Sequence, residues 1–164
     1  MPAFAELLAV IAAQHPRVRT GLEVGFDSEE TTDLFRKTFG GLWLSAPMGA
    51  DFRYADAQFE VVVLNGDVLT REGIREAHRV LKPRGCAFFT VKEQTRKQEG
   101  HTLASVYRLV REGFDIIAVK RPRWWFLGRK ERTLTFCLRK KAWRAAKSFI
   151  RSKGLVFTPF RERT

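Results

Sequence analysis

Lys120 to Arg132 (KRPRWWFLGRKER) surrounds three consecutive aromatic side chains, Trp124, Trp125 and Phe126, with cations. Cations neutralise phosphates and aromatic faces stack on bases, at about 1–3 kcal/mol per base, so this composition suits single-stranded nucleic acid. Arg121, Arg123, Trp124, Trp125, Arg129 and Lys130 are the candidate contacts. The competing structural reading folds one or both tryptophans onto a sheet, because neighbours along a strand point to opposite faces. Downstream, Arg139 to Lys153 (RKKAWRAAKSFIRSK) spaces Trp143, Ala146, Phe149 and Ile150 as one stripe of a basic amphipathic helix. Lys140, Lys141, Arg144, Lys147, Arg151 and Lys153 supply its charge. Three uses fit such a stretch, in this order: packing of the stripe on the domain, RNA binding through the cationic face, and adsorption to an anionic membrane surface.

The body of the chain offers less chemistry. Asn65-Gly66-Asp67 follows an apolar run. Asp67 there is either a base or, more commonly, a turn or N-cap aspartate. Asp27 and Glu30 stand at capping-box spacing before a helical pattern, and Glu23 and Gly25 read as a strand end and a tight turn. His15, His78 and His101 are scattered. There is no C-x-x-C, nucleophile elbow, Walker loop or G-x-G-x-x-G, so no metal is expected and no residue is assigned as catalytic.

The charge is lopsided. Up to Val119 fifteen Lys+Arg meet sixteen Asp+Glu; from Lys120 on, fifteen meet two, giving +12 overall. A neutral body with a cationic end points to a polyanionic partner: RNA, single-stranded DNA or, less favoured, a membrane face. The 164 residues suffice for one domain with a real core. We expect an α/β domain over 1–138 and a basic C-terminal extension over 139–164 packed on it. Cys86 and Cys137 fall in apolar runs and read as buried free thiols in a reducing, cytoplasmic setting. No signal peptide pattern opens the sequence, and its apolar runs are too short to span a bilayer.

Positioning these residues requires an alternating α/β chain. Helical patterns cover Phe4–Gln14, Glu29–Phe39 (Leu34, Phe35 and Phe39 inward), Thr70–Lys82 and Leu103–Gly113 (Leu103, Val106, Tyr107 and Val110 on one stripe). Strand patterns cover Arg19–Phe26, Leu42–Ser45, Phe59–Leu64, Cys86–Val91, Phe114–Lys120 and Thr133–Leu138. Continuous apolar strands joined by helices indicate a parallel sheet covered on both faces. The segment Ala46–Gln58 is too short for a strand plus a crossover helix, so one element is reduced or missing.

The wording FEVVVLNGDVLTREGIREAHRVLKPRGCAFFTV (Phe59–Val91) closely resembles the second half of class I S-adenosylmethionine (SAM) methyltransferases. Phe59, Glu60, Val62, Arg79, Val80, Leu81, Lys82, Pro83 and Gly85 match, with Arg84 in place of a glycine. The resemblance implies a Rossmann-like three-layer αβα sandwich, mostly parallel, with the last strand antiparallel and the strands of Val62 and Phe88 next to that of Val24. It also implies SAM as cofactor, held by Glu23, Gly25, Asp27, Asn65 and Gly66, with Asp51 standing in for the missing acid after Leu44-Ser45. Asp27 and Glu29 occupy the places of two family glycines. With Glu30 they would repel the cofactor carboxylate, at about 1 kcal/mol per close contact in water, so weak SAM binding is expected. Two functions follow: a methyltransferase whose acceptor is drawn in by the basic surface, or a non-catalytic relative that binds nucleic acid.

Overall fold

A computed structural model describes residues 2–26, 28–49, 51–96, 98–121 and 132–141. Its elements are α1 (Pro2–Gln14), β1 (Thr20–Val24), α2 (Glu29–Phe39), β2 (Leu42–Ala46), β3 (Phe59–Asn65), a 3₁₀ turn (Gly66–Val68), α3 (Arg71–Val80), β4 (Leu81–Lys92), α4 (Leu103–Val110), β5 (Phe114–Lys120) and β6 (Thr133–Lys140). They build one six-stranded sheet in the order β2-β1-β3-β4-β6-β5. β1 to β4 are parallel, and β6 runs antiparallel between β4 and β5. This is the Rossmann-like, mostly parallel sandwich that the sequence implied, with the last strand reversed. One neighbour differs: the Phe88 strand adjoins β3 and β6, a strand away from that of Val24.

Alternation along the strands separates two cores. Val62 and Leu64 face Ile74, Ala77, Val106 and Phe114 under α3 and α4. Val61 and Val63 face Leu7, Ile11, Phe35 and Trp43 under α1 and α2. Cys86 and Cys137 lie buried in this second core as free thiols. Leu34, Leu103 and Tyr107, expected inside, are exposed by 41%, 46% and 54%. Successive helical residues turn by about 100°, so the Phe35/Phe39 stripe leaves Leu34 on the flank. On α4 the buried stripe narrows to Val106 and Val110.

Between β2 and β3 the expected reduction is visible: among the described residues no helix or strand intervenes. Pro47 to Gln58 instead runs as an irregular crossover beside α3. Phe52 plugs the first core at 2% exposure, and the Tyr54 ring meets Phe59 edge-on at 5.2 Å. An irregular segment must still satisfy its backbone polar groups, and α3 does so. Glu76 Oε2 accepts from the Phe52 N–H at 3.2 Å, and Arg79 donates to the Tyr54 carbonyl at 2.7 Å. Arg79 also donates to both Glu76 oxygens and to Asp56. At the crossover's end, the Ala57 and Gln58 N–H groups donate to the Arg79 and Val80 carbonyls.

The helix stop Lys82–Gly85 forms a bulge in β4, whose register jumps from the Phe59–Leu81 pair to the Val61–Cys86 pair. Arg84 sits there at φ +66°, a conformation natural to glycine. β6 continues through Lys140. Arg139 and Lys140 therefore belong to the sheet and do not begin a helix, because each extends the antiparallel ladder opposite β4 or β5.

Candidate functional site

The parallel strands end together, so Val24, Ala46, Asn65 and Lys92 lie along one edge of the sheet. At the close of β1, Glu23 is fully buried and its Oε1 accepts from the Thr32 hydroxyl of α2 at 2.7 Å. Gly25 then turns the chain at φ +78°. Its N–H donates to the Ala46 carbonyl at 2.8 Å, and its carbonyl accepts from the Asn65 carboxamide at 2.8 Å. The Asn65 Oδ1 accepts from the Asp67 N–H. Asn65 thus braces the Gly25 turn and caps its own 3₁₀ turn. The structure brings Glu23, Gly25, Asn65 and Gly66 together at this edge.

Three glycines here have steric causes. A Cβ on Gly66 would collide with the Thr90 carbonyl, so this glycine lets the turn press against β4. A Cβ on Gly25 would lie 3.1–3.2 Å from Val68 and Met48, and one on Gly73 would lie 2.5 Å from the Met48 sulfur. Met48 therefore fills a slot between the β1 turn and the first turns of α3. Tyr54 reaches the same edge. Its hydroxyl donates to the Ser45 carbonyl at 2.7 Å, and partial burial, then the Glu23 charge, push its pKa up. Met48, Tyr54 and Thr32 are site residues that periodicity could not reveal, since two of them sit in a segment without a period.

α2 starts one residue later than the capping-box spacing suggested. Ser28 is its N-cap and makes no side-chain cap hydrogen bond; Glu29 and Glu30 form the first turn. The Asp27–Glu30 box is therefore not what satisfies this helix start: Glu30 is at the second helical position, one short of where a box glutamate folds back. Asp51 is exposed, and its Oδ1 accepts from the Arg53 N–H at 3.0 Å. That local turn ties the carboxylate to its own loop.

The described members of the candidate cationic surface lie at two edges of the sheet. β5 ends and β6 begins at the edge just described, whereas Lys140 and Lys141 lie at the opposite edge. The eight residues of β6 separate the two by about 24 Å at roughly 3.4 Å per step. Arg121 pairs with Glu93 at 2.9 Å. Lys140 donates to the Leu81 carbonyl at 2.6 Å, and burial lowers its pKa while Asp56 opposes that shift. These two of the cations expected on nucleic acid have intramolecular partners. Asp27, Arg123, Trp124, Trp125, Arg129, Lys130, Arg144, Lys147 and Arg151 lie outside the described residues.

Two of the three histidines pack on rings: His15 meets the Phe88 ring edge-on at 6.2 Å and His78 the Phe114 ring at 5.4 Å. Among the described residues no three metal-type side chains converge, and no helix is long and apolar enough to cross a membrane.

No protein-family model and no curated protein matches the chain. Solved structures do. The 1,6-didemethyltoxoflavin-N1-methyltransferase of Burkholderia thailandensis, with 1,6-didemethyltoxoflavin and S-adenosylhomocysteine bound, superposes with a TM-score of 0.65 at 16% identity, over 85% of this chain and 78% of that one. A SAM-dependent methyltransferase of Aquifex aeolicus gives 0.65 at 11%, over 86% and 94%. The MccD protein gives 0.69 at 13%, over 86% and 99%. At such identities the similarity establishes a shared fold, that of the SAM-dependent methyltransferases.

Proposed function

We propose that this chain is a SAM-dependent methyltransferase-type protein that binds its cofactor weakly, at the edge formed by the ends of β1 and β3. One observation carries the reading. The left-handed Gly25 turn follows a buried acid and faces a helix start whose N-cap, Ser28, makes no side-chain cap hydrogen bond. Backbone amides at such a start favour a carboxylate, and a glycine turn admits close approach. These residues fit the group: Gly25 and the α2 amides would receive its carboxylate end, and Glu23 and Asn65 fix the turn that presents them. Bound SAM supplies an activated methyl group. The chain's own part is to hold the turn, orient the cofactor and exclude water with Met48 and Val68.

Weak affinity has two sources. Glu29 and Glu30 put negative charge on the helix turn that would meet the carboxylate, and β2 ends in Ser45 and Ala46 with no acid to take hydroxyls. The acceptor in this reading is a polyanion, RNA or single-stranded DNA, drawn by the cations concentrated after Lys120. Calorimetry with SAM and S-adenosylhomocysteine on the full chain tests the cofactor. The expected Kd is weaker than about 1 μM, that is, less than about 8 kcal/mol of binding free energy. Submicromolar binding would sink the charge argument. No heat at millimolar ligand would leave the non-catalytic nucleic-acid-binding alternative.

A further inference from the structure

α3 and α4 pack side by side over the first core, and a cavity of about 310 Å³ opens between them. It is lined by three cations, Arg71, Arg75 and Arg108, against one acid, Glu112, together with His78 and the apolar Ile74, Leu109 and Phe114. Arg71 and Arg75 are four residues apart on α3 and so lie on one face, about 6 Å apart along the axis. Three other arginines of the body do pair: Arg36 with Asp33, Arg79 with Asp56 and Glu76, Arg121 with Glu93. None of the three groove arginines forms an ion pair among the described residues. Clustering like charges on packed helices is unfavourable, and an anionic ligand would relieve it.

We infer that the α3–α4 groove binds the phosphate backbone of single-stranded nucleic acid. Guanidinium forks suit phosphate oxygens. The volume is at the small end of ligand pockets, roughly 300–1,000 Å³. It admits one unit of an extended strand and not a helix of about 10 Å diameter. Lys141 adjoins the groove: Gly113 lines it, and the Gly113 carbonyl accepts from the Lys141 N–H at 2.9 Å. From that root onward the sequence adds Arg144, Lys147, Arg151, Lys153, Arg161 and Arg163 against one acid, Glu162. At its other end the groove starts at Arg71, at the beginning of α3 and a few residues after Asn65. A strand held along it is led toward the cofactor edge. This deepens the polyanionic-acceptor part of the proposed function.

The test is fluorescence anisotropy of the full chain with labelled twelve-nucleotide uridine RNA and thymidine DNA across a salt series. Arg71→Gln/Arg75→Gln/Arg108→Gln is compared with Arg17→Gln/Arg19→Gln/Lys37→Gln, which removes the same net charge away from the groove. Thermal melts verify that both remain folded. Each phosphate contact contributes about 0.7 to the slope of log K against log salt for single strands. The groove variant should therefore lose about 2 from that slope and bind at least about tenfold more weakly at low salt, with the control losing less than half as much. Equal behaviour of the two variants overturns the inference. So does binding of polyglutamate as tight as that of the oligonucleotides, which would make the groove a site for acidic protein. SAM calorimetry on the groove variant should match the parent protein, so failure of the cofactor reading is read separately.

Discussion

Replacing Arg79 with alanine should loosen the crossover that covers the cofactor edge. The guanidinium makes two bonds to Glu76, at 2.9 and 2.8 Å, one to Asp56 and one to the Tyr54 carbonyl, both at 2.7 Å. Their weights differ. Asp56 is 78% exposed, and an exposed pair is worth about 0–1 kcal/mol. Glu76 is 15% exposed, and it also holds the Phe52 N–H. Charge-assisted bonds in such surroundings contribute about 1.5–3 kcal/mol each in full burial. Arg79 itself is 32% exposed, so solvent removes part of that. A net loss of about 2–3 kcal/mol follows. Urea unfolding measures it directly. For a domain of this size each kcal/mol moves Tm by roughly 2–4 °C, so a fall of about 4–12 °C is expected. Asp56→Ala should cost less than about 0.5 kcal/mol and serves as the internal control. If Arg79→Ala stays within about 0.5 kcal/mol of the parent protein, or Asp56→Ala costs as much as it does, the hub reasoning is wrong.

The same pair predicts an acid limb. Glu76 has its pKa lowered, first by the hydrogen bond from Arg79 and despite burial. A depressed carboxyl stabilises the fold above its unfolded pKa of about 4.3 and loses that contribution as pH falls through the folded value. Urea midpoints should decline below about pH 4.5, and less so in Arg79→Ala; an unchanged slope would contradict the assignment. Arg84→Gly should stabilise the chain by about 0.5–1 kcal/mol, because φ +66° costs a side chain about 1–2 kcal/mol and glycine gives back part through its unfolded entropy; destabilisation in the same assay would count against it. Gly21→Ala should destabilise by about 1–3 kcal/mol, since the new Cβ would lie 2.5 Å from the buried Trp43 ring. Glu29→Gln/Glu30→Gln should tighten SAM binding by roughly fivefold, the equivalent of about 1 kcal/mol; calorimetry showing no gain would remove charge as the cause of weak affinity.

Much of the fold was legible because its signals are local. Apolar runs such as Phe59–Leu64 and Cys86–Val91, punctuated by Asn65-Gly66 and Lys82–Gly85, give buried parallel strands whatever surrounds them. The brevity of Ala46–Gln58 announced a missing element by chain length alone. The lopsided charge and the glycine turn at Gly25 were equally plain. Other features depend on partners far away in the chain. Met48 fills a slot made by Gly25 and Gly73, and Tyr54 reaches an edge whose Glu23 lies on another strand; neither has a spacing to read. Lys140 resembled a surface cation until β6 laid it beside the Leu81 carbonyl. Arg121 and Lys140 both fall in the basic end in linear order, yet antiparallel β6 places them at opposite edges of the sheet. Arg71, Arg75 and Arg108 became a cluster only when α3 packed against α4. Sequence determines what each segment prefers to be, because those preferences act over a few residues. Tertiary structure decides which side chains share a dielectric and a cavity, because that depends on strand order and helix packing.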